Sequence, residues 1–166
     1  FERGRFDWEN NAIGITNEVI PPFTPLAVDR RARTVSCVLR THTMAPTGLW
    51  EQVRAAGMDL LAGPVSLEMT AGGRTLAASP ASFSFVSTAP NRVAAKSSFR
   101  IGELAVGNRV EFDYDGMMKA TLSLKKNGKT PIDRLSLAIP LKAGRARLMH
   151  PLGDGMRFNY GGAVPE

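Results

Sequence analysis

Three carboxylates stand at alternate positions in the stretch RVEFDYDG: Glu111, Asp113 and Asp115. On an extended strand such residues share one face, about 7 Å from one to the next. That separation overlaps what an inverting glycosidase sets between its acid and its base. However, Val110, Phe112 and Tyr114 fill the intervening positions. Acids alternating with apolar residues also describe the wet face of a half-buried strand. The solvated face is the favoured reading, and no catalytic residue is assigned.

Other chemistries find less. His42 and His150 are the only histidines, and neither has a second ligand at a metal-like spacing, so no metal is expected. No G-x-S-x-G elbow and no glycine-rich phosphate or dinucleotide loop occurs, and no cofactor is expected. Sugar contact calls for an exposed aromatic plate beside hydrogen-bonding groups. Trp50, at the tip of TGLWEQ, is one candidate plate. The densest set of polar groups lies in HPLGDGMRFNYGG, where His150, Asp154, Arg157, Asn159 and Tyr160 follow one another on an expected loop. The carbohydrate-binding candidates are therefore Trp50, His150, Asp154, Arg157 and Tyr160. A capped sheet edge or a hinge into another domain is the favoured reading of that loop. Tyr114, beside Phe112 on an apolar face, is expected in the core.

Composition narrows the classes. With 166 residues and 43% hydrophobic content the chain suffices for one domain, taken as residues 1–166, with a real core. No apolar run reaches membrane-spanning length. The formal charge is +6, but apart from Arg30, Arg31 and Arg33 and the lysines at 125, 126 and 129 the cations are scattered over the wet positions of strands. Such spacing keeps exposed strands soluble, so no nucleic-acid partner is expected. The single Cys37, between Val35 and Leu39, reads as a buried, inert thiol. A first residue Phe1 and a last run GGAVPE suggest a segment excised from a longer protein.

The elements that must position these groups are strands. Residues 109–141 read as three alternating arms, at 109–115, 118–125 and 134–141, with Asp115-Gly116 and Asn127-Gly128 at the joins. Such pairs accept the positive φ of tight hairpins, so a three-stranded meander is expected. Upstream, strands are expected at 26–28, 34–41, 49–55, 65–70, 74–77 and 82–85. Another, at 93–101, turns Val93, Ala95, Ser97, Phe99 and Ile101 inward. Residues 146–149 supply one more, and 156–160 a closing one. For 49–55 a short helix is the alternative, limited to two turns by Gly48 and Gly57. About ten short strands with frequent turn signals and little helix make an all-β, antiparallel β-sandwich.

Five segments, in order, carry a family resemblance: WENNAIGITNEVIPPFTPLAV (8–28), GLWEQVRAAGMDLLAGPVSL (48–67), YDGMMKATLSL (114–124), IDRLSLAIPLKA (132–143) and MHPLGDGMRFNYGGAVP (149–165). The chain resembles the N-terminal β-domain of bacterial glycoside hydrolase family 123-like proteins, a supersandwich also similar to galactose mutarotase-like domains. The resemblance implies that acid/base catalysis belongs to a (β/α)₈ barrel elsewhere in the parent chain. No catalytic residue then falls on this segment, and its partners are that catalytic domain and a glycan. It also implies an extracellular or periplasmic location. The function expected is a non-catalytic accessory domain packing beside the barrel. The alternatives are an autonomous carbohydrate-binding module and a mutarotase-like epimerase, which would need His42, His150 and an acid such as Glu111 to converge.

Overall fold

The structure is a computed structural model describing residues 4, 6–12, 14, 16–79, 82–153, 158, 159 and 161–164; residues 152, 153, 158 and 159 are described by their backbone alone. Among the described residues there are sixteen strands and no helix. The first five, β1 (Ala27–Asp29), β2 (Thr34–Cys37), β3 (Arg40–Met44), β4 (Trp50–Ala55) and β5 (Met58–Asp59), form one antiparallel sheet in chain order. A second sheet places β12 (Arg134–Ala138) beside β6 (Ser66–Ala71) and β7 (Arg74–Leu76). The third consists of β8 (Ser82–Thr88), β9 (Arg92–Ile101), β10 (Leu104–Asp113) and β11 (Met118–Lys126), in the order β11-β10-β9-β8. Two small pairs follow: β13 (Leu148–Met149) with β16 (Gly162–Ala163), and β14 (Leu152–Gly153) with β15 (Phe158–Asn159).

The first two sheets join into one layer. Val65 N–H donates to Trp50 O at 2.8 Å, Lys142 N–H to Leu60 O at 2.8 Å, and Leu61 bridges Leu141. This layer packs on the third sheet through a common core that includes Val35, Met44, Leu67, Met69, Val93, Ile101, Val106 and Phe112. The expected all-β sandwich is thus present. The alternation at 93–101 also holds, with Val93, Ala95, Ser97, Phe99 and Ile101 all buried. The strand reading of 49–55 is correct, and the turn after it is made by Ala56 and Gly57, both at positive φ.

Four expectations need correction. The third arm of the meander leaves the sheet: β12 pairs with β6, Leu135 opposite Met69 and Leu137 opposite Leu67. Asn127-Gly128 is therefore no hairpin but the start of a crossover. Glu103 holds it, its carbonyl accepting from Asn127 N–H at 3.0 Å and its carboxylate from Thr130 N–H at 3.1 Å. Residues 34–41 are not one strand, because Val38 and Leu39 form a turn, Leu39 lying exposed at positive φ. Cys37 is consequently half-buried rather than sealed in the core. Finally, the first arm begins at Leu104 rather than at 109 and takes in Gly107, so that strand is ten residues long.

Candidate functional site

The carboxylates considered for catalysis are all engaged structurally. Glu111 pairs with Arg109 at 3.2 Å and Asp113 with Arg92 at 3.3 Å, on the partly wet face of β10. Asp115 sits in the β10–β11 turn, where its Oδ1 accepts from Met117 N–H at 2.8 Å and Gly116 takes positive φ. The solvated-face reading of these acids is thereby supported by their contacts.

The two histidines lie in unlike surroundings. His42 is in β3, opposite Val35 and Val53, and its ring meets that of Phe112 at 5.3 Å. It is 2% exposed, neither ring nitrogen has a partner, and burial pushes its pKa down to about 4. A ring enclosed in that way cannot reach a sugar. His150 is exposed. The convergence that an epimerase requires is therefore not built from His42. Among the described residues no group of three or more His, Cys, Asp or Glu side chains could hold a metal ion, and no helix is long and apolar enough to cross a membrane.

The aromatic candidates also sort differently from expectation. Trp50 is not an exposed plate but a core residue, with its indole N–H closed off and unpartnered. The cause is a bulge: Thr43 pairs with Gln52 while Met44 pairs with Trp50, leaving Glu51 as an extra residue. An extra residue shifts the alternation by one, so Trp50 and Val53 both face inward. Tyr114 is half-buried and meets Phe23 edge-on at 5.5 Å. Trp8, stacked on Phe6 at 5.4 Å, is the exposed tryptophan. Of the terminal set, Asp154, Arg157 and Tyr160 lie outside the described residues, as does part of the closing strand expected at 156–160.

The feature that periodicity did not foretell is an open side of the sandwich. β11 and β12 are edge strands of opposite layers. Their register turns Met118, Ala120, Leu122 and Leu124 to the face of Phe112, Val110 and Val106, and Leu135 and Leu137 to the face of Met69 and Leu67. These are core-facing positions, yet Met118, Leu124, Leu135, Leu137, Ile139 and Leu141 are all exposed. Between the two edges runs an apolar cleft of about 190 Å³, floored by Trp50, Val53 and Leu61 and walled by Leu122, Leu137 and Ile139. Sequence alternation assigns a face to each side chain but does not say whether a second layer reaches far enough to cover it.

A cleft of aliphatic side chains without converging ionisable groups suits packing rather than bond cleavage. Comparison with family models agrees: the model described as glycoside hydrolase 123, third domain, matches residues 27–166. The chain belongs to the glycoside hydrolase 123 third-domain family. The match runs from β1 to β16 and makes this a non-catalytic domain associated with a glycoside hydrolase. Comparisons with curated proteins and with solved structures gave no match. The glycoside hydrolase 123 description says "third domain", and neither an N-terminal position nor mutarotase-like character follows from it.

Proposed function

We propose that this glycoside hydrolase 123 third domain is an accessory sandwich that closes its β11/β12 cleft on the catalytic domain of the same parent chain, and thereby shapes glycan access to that domain. The carrying observation is the row of core-facing but uncovered aliphatic side chains along two adjacent sheet edges. A contiguous apolar surface of this kind marks a packing site. A family defined as a third domain makes neighbouring domains of one polypeptide the fitting occupant.

Amide hydrogen exchange tests this. Within the parent enzyme, β11 and β12 should exchange at least about tenfold more slowly than in the isolated chain, because docking removes the local opening of exposed edges. The double substitution Leu137→Lys/Ile139→Lys should abolish that protection. It should alter the isolated chain's stability by only about 0.5–1 kcal/mol, since both side chains are close to half exposed. Equal exchange of the edges in both contexts would refute the docking.

An autonomous carbohydrate-binding module is the second reading, favoured by the exposed Trp8–Phe6 stack. In that reading the stack would be the sugar plate, and His150, Asp154, Arg157 and Tyr160 would supply hydrogen bonds. Titration calorimetry against neutral oligosaccharides separates the two, since Trp8→Ala abolishes the response only if a module is present.

A further inference from the structure

The outer face of the β8–β11 sheet, opposite the apolar cleft, carries a second concavity. In register across four strands stand Ser82, Ser98, Gly107 and Ser123. They form the floor of an open groove of about 650 Å³. Arg100 and Lys125, both paired across to Ala105, line one side of it, and the next outward-facing row beyond the serines carries Lys96 and Arg109, outside the groove's lining. All four cations are exposed, and of these Arg109 is engaged by Glu111. Lys96 and Arg100 are four residues apart on β9, so the two cation rows stand about 13 Å apart with the serine row between them, and four strands make that row about 14 Å long.

Each part of this surface bears on the kind of ligand. Hydroxyls of Ser82, Ser98 and Ser123 offer donors and acceptors at the floor, Ser82 and Ser98 being joined to one another at 2.8 Å. Gly107 removes the side chain that would otherwise stand in the middle of that row. The charged groups lining the groove are the cations Arg100 and Lys125, while Glu111 pairs with Arg109 outside it and Glu103 is turned onto the crossover. Small hydroxyl side chains without an aromatic ring suit neither base stacking nor the flat face of a neutral sugar. They suit a chain rich in hydroxyls whose carboxylates or sulfates reach Arg100 and Lys125.

We propose that this groove binds an anionic oligosaccharide, carboxylated or sulfated, laid across the sheet. The site lies on the opposite side of the sheet from the β11/β12 cleft, so it does not depend on the docking proposed above and stays open when the cleft is filled.

The test is calorimetry of the purified chain with oligogalacturonate, sulfated dextran, neutral dextran and single-stranded DNA of matched charge. Binding to at least one of the two anionic glycans is expected, weakened by added salt, with neutral dextran inert and DNA weaker. Oligogalacturonate against sulfated dextran tells carboxylate from sulfate. Arg100→Glu/Lys125→Glu should lower the affinity by about tenfold or more. Gly107→Gln should do so without changing charge, and it is sterically mild, since a Cβ there meets nothing closer than Ser123 Cβ at 3.8 Å. The control pair Arg74→Glu/Lys129→Glu, with the same charge change outside the groove, should bind as the parent does. Absence of binding to both anionic glycans, equal binding of the DNA, or an equal loss in the control pair would each overturn the proposal. Hydrogen exchange at the cleft is unaffected by any of these results, so failure here leaves the docking reading separately testable.

Discussion

Gly48→Ala should cost on the order of 4 kcal/mol and lower the melting temperature by about 10 °C. Gly48 takes φ +72, a conformation that side chains rarely adopt. A methyl group there would also collide with Ser97 Oγ and Asn108 Nδ2. Those two atoms fasten the β3–β4 connection to the opposite layer. Ser97 Oγ donates to Thr47 O at 2.6 Å, and Asn108 Nδ2 donates to Gly48 O at 2.8 Å. Ser97 and Asn108 are themselves buried on the inner face, so displacing them strands polar atoms away from water. Gly57→Ala is the control. Gly57 also has positive φ, but nothing lies within 4 Å of a Cβ there. Backbone strain alone should then cost about 1 kcal/mol. Thermal unfolding of both variants checks the pair, and equal losses would show that the clamp adds nothing.

The second large effect depends on pH. His42 has its pKa lowered to about 4, first by burial and then by the charge of Arg40. In the unfolded chain its pKa returns to about 6.5. Between those values the unfolded state binds the proton and the folded state does not, so stability rises with pH across this window. Its contribution is fully present above about pH 6.5 and is lost as pH falls towards 4, by roughly 2–3 kcal/mol at pH 4.5. Denaturant unfolding of the parent and of His42→Leu at pH 7 and pH 4.5 isolates this term, because other titrating groups cancel between the two. The parent should lose that much more than the variant. Parallel losses would contradict a neutral, enclosed imidazole. Asp59, held below the usual carboxylate range chiefly by its hydrogen bond from Arg54, is a surface pair at 2.9 Å and should show mainly as sensitivity to salt.

What could be read from the residues was the face of each strand. Ala95 to Ile101 alternate cleanly because one side meets the core and the other meets water, and burial follows that alternation; Ala94, next to the β8–β9 irregularity, is buried as well. Pairing partners were not legible. Leu135 and Leu137 alternate as an adjacent third strand would, yet the chain is turned to β6 by Asp133, whose N–H donates to Thr70 O at 2.9 Å and whose Oδ2 accepts from Gly73 N–H at 3.0 Å. The Val38–Leu39 turn has no glycine, asparagine or proline to announce it. Trp50 was read as exposed from its place at the tip of TGLWEQ, but one extra residue, Glu51, shifts the alternation so that its ring faces inward.

For the candidate site the limit was of another kind. The same alternating leucines are found in a closed core and in an open cleft, since composition records the need for cover and not its supply. The groove on the outer face was equally hidden, because Ser82, Ser98, Gly107 and Ser123 become one row only when four strands fall into register. The cations beside them read along the chain as ordinary solubilising residues, and their grouping into rows is a product of the sheet.

The central proposal is that this third domain cleaves no bond itself and serves a catalytic domain elsewhere in a parent chain. Its most direct test is the release of nitrophenol from a panel of aryl glycosides, N-acetylgalactosaminides included, by the pure chain and by the parent protein at equal molarity. The account predicts turnover by the parent and none above the uncatalysed rate by the chain. Steady hydrolysis by residues 1–166 alone, surviving repurification, would contradict it.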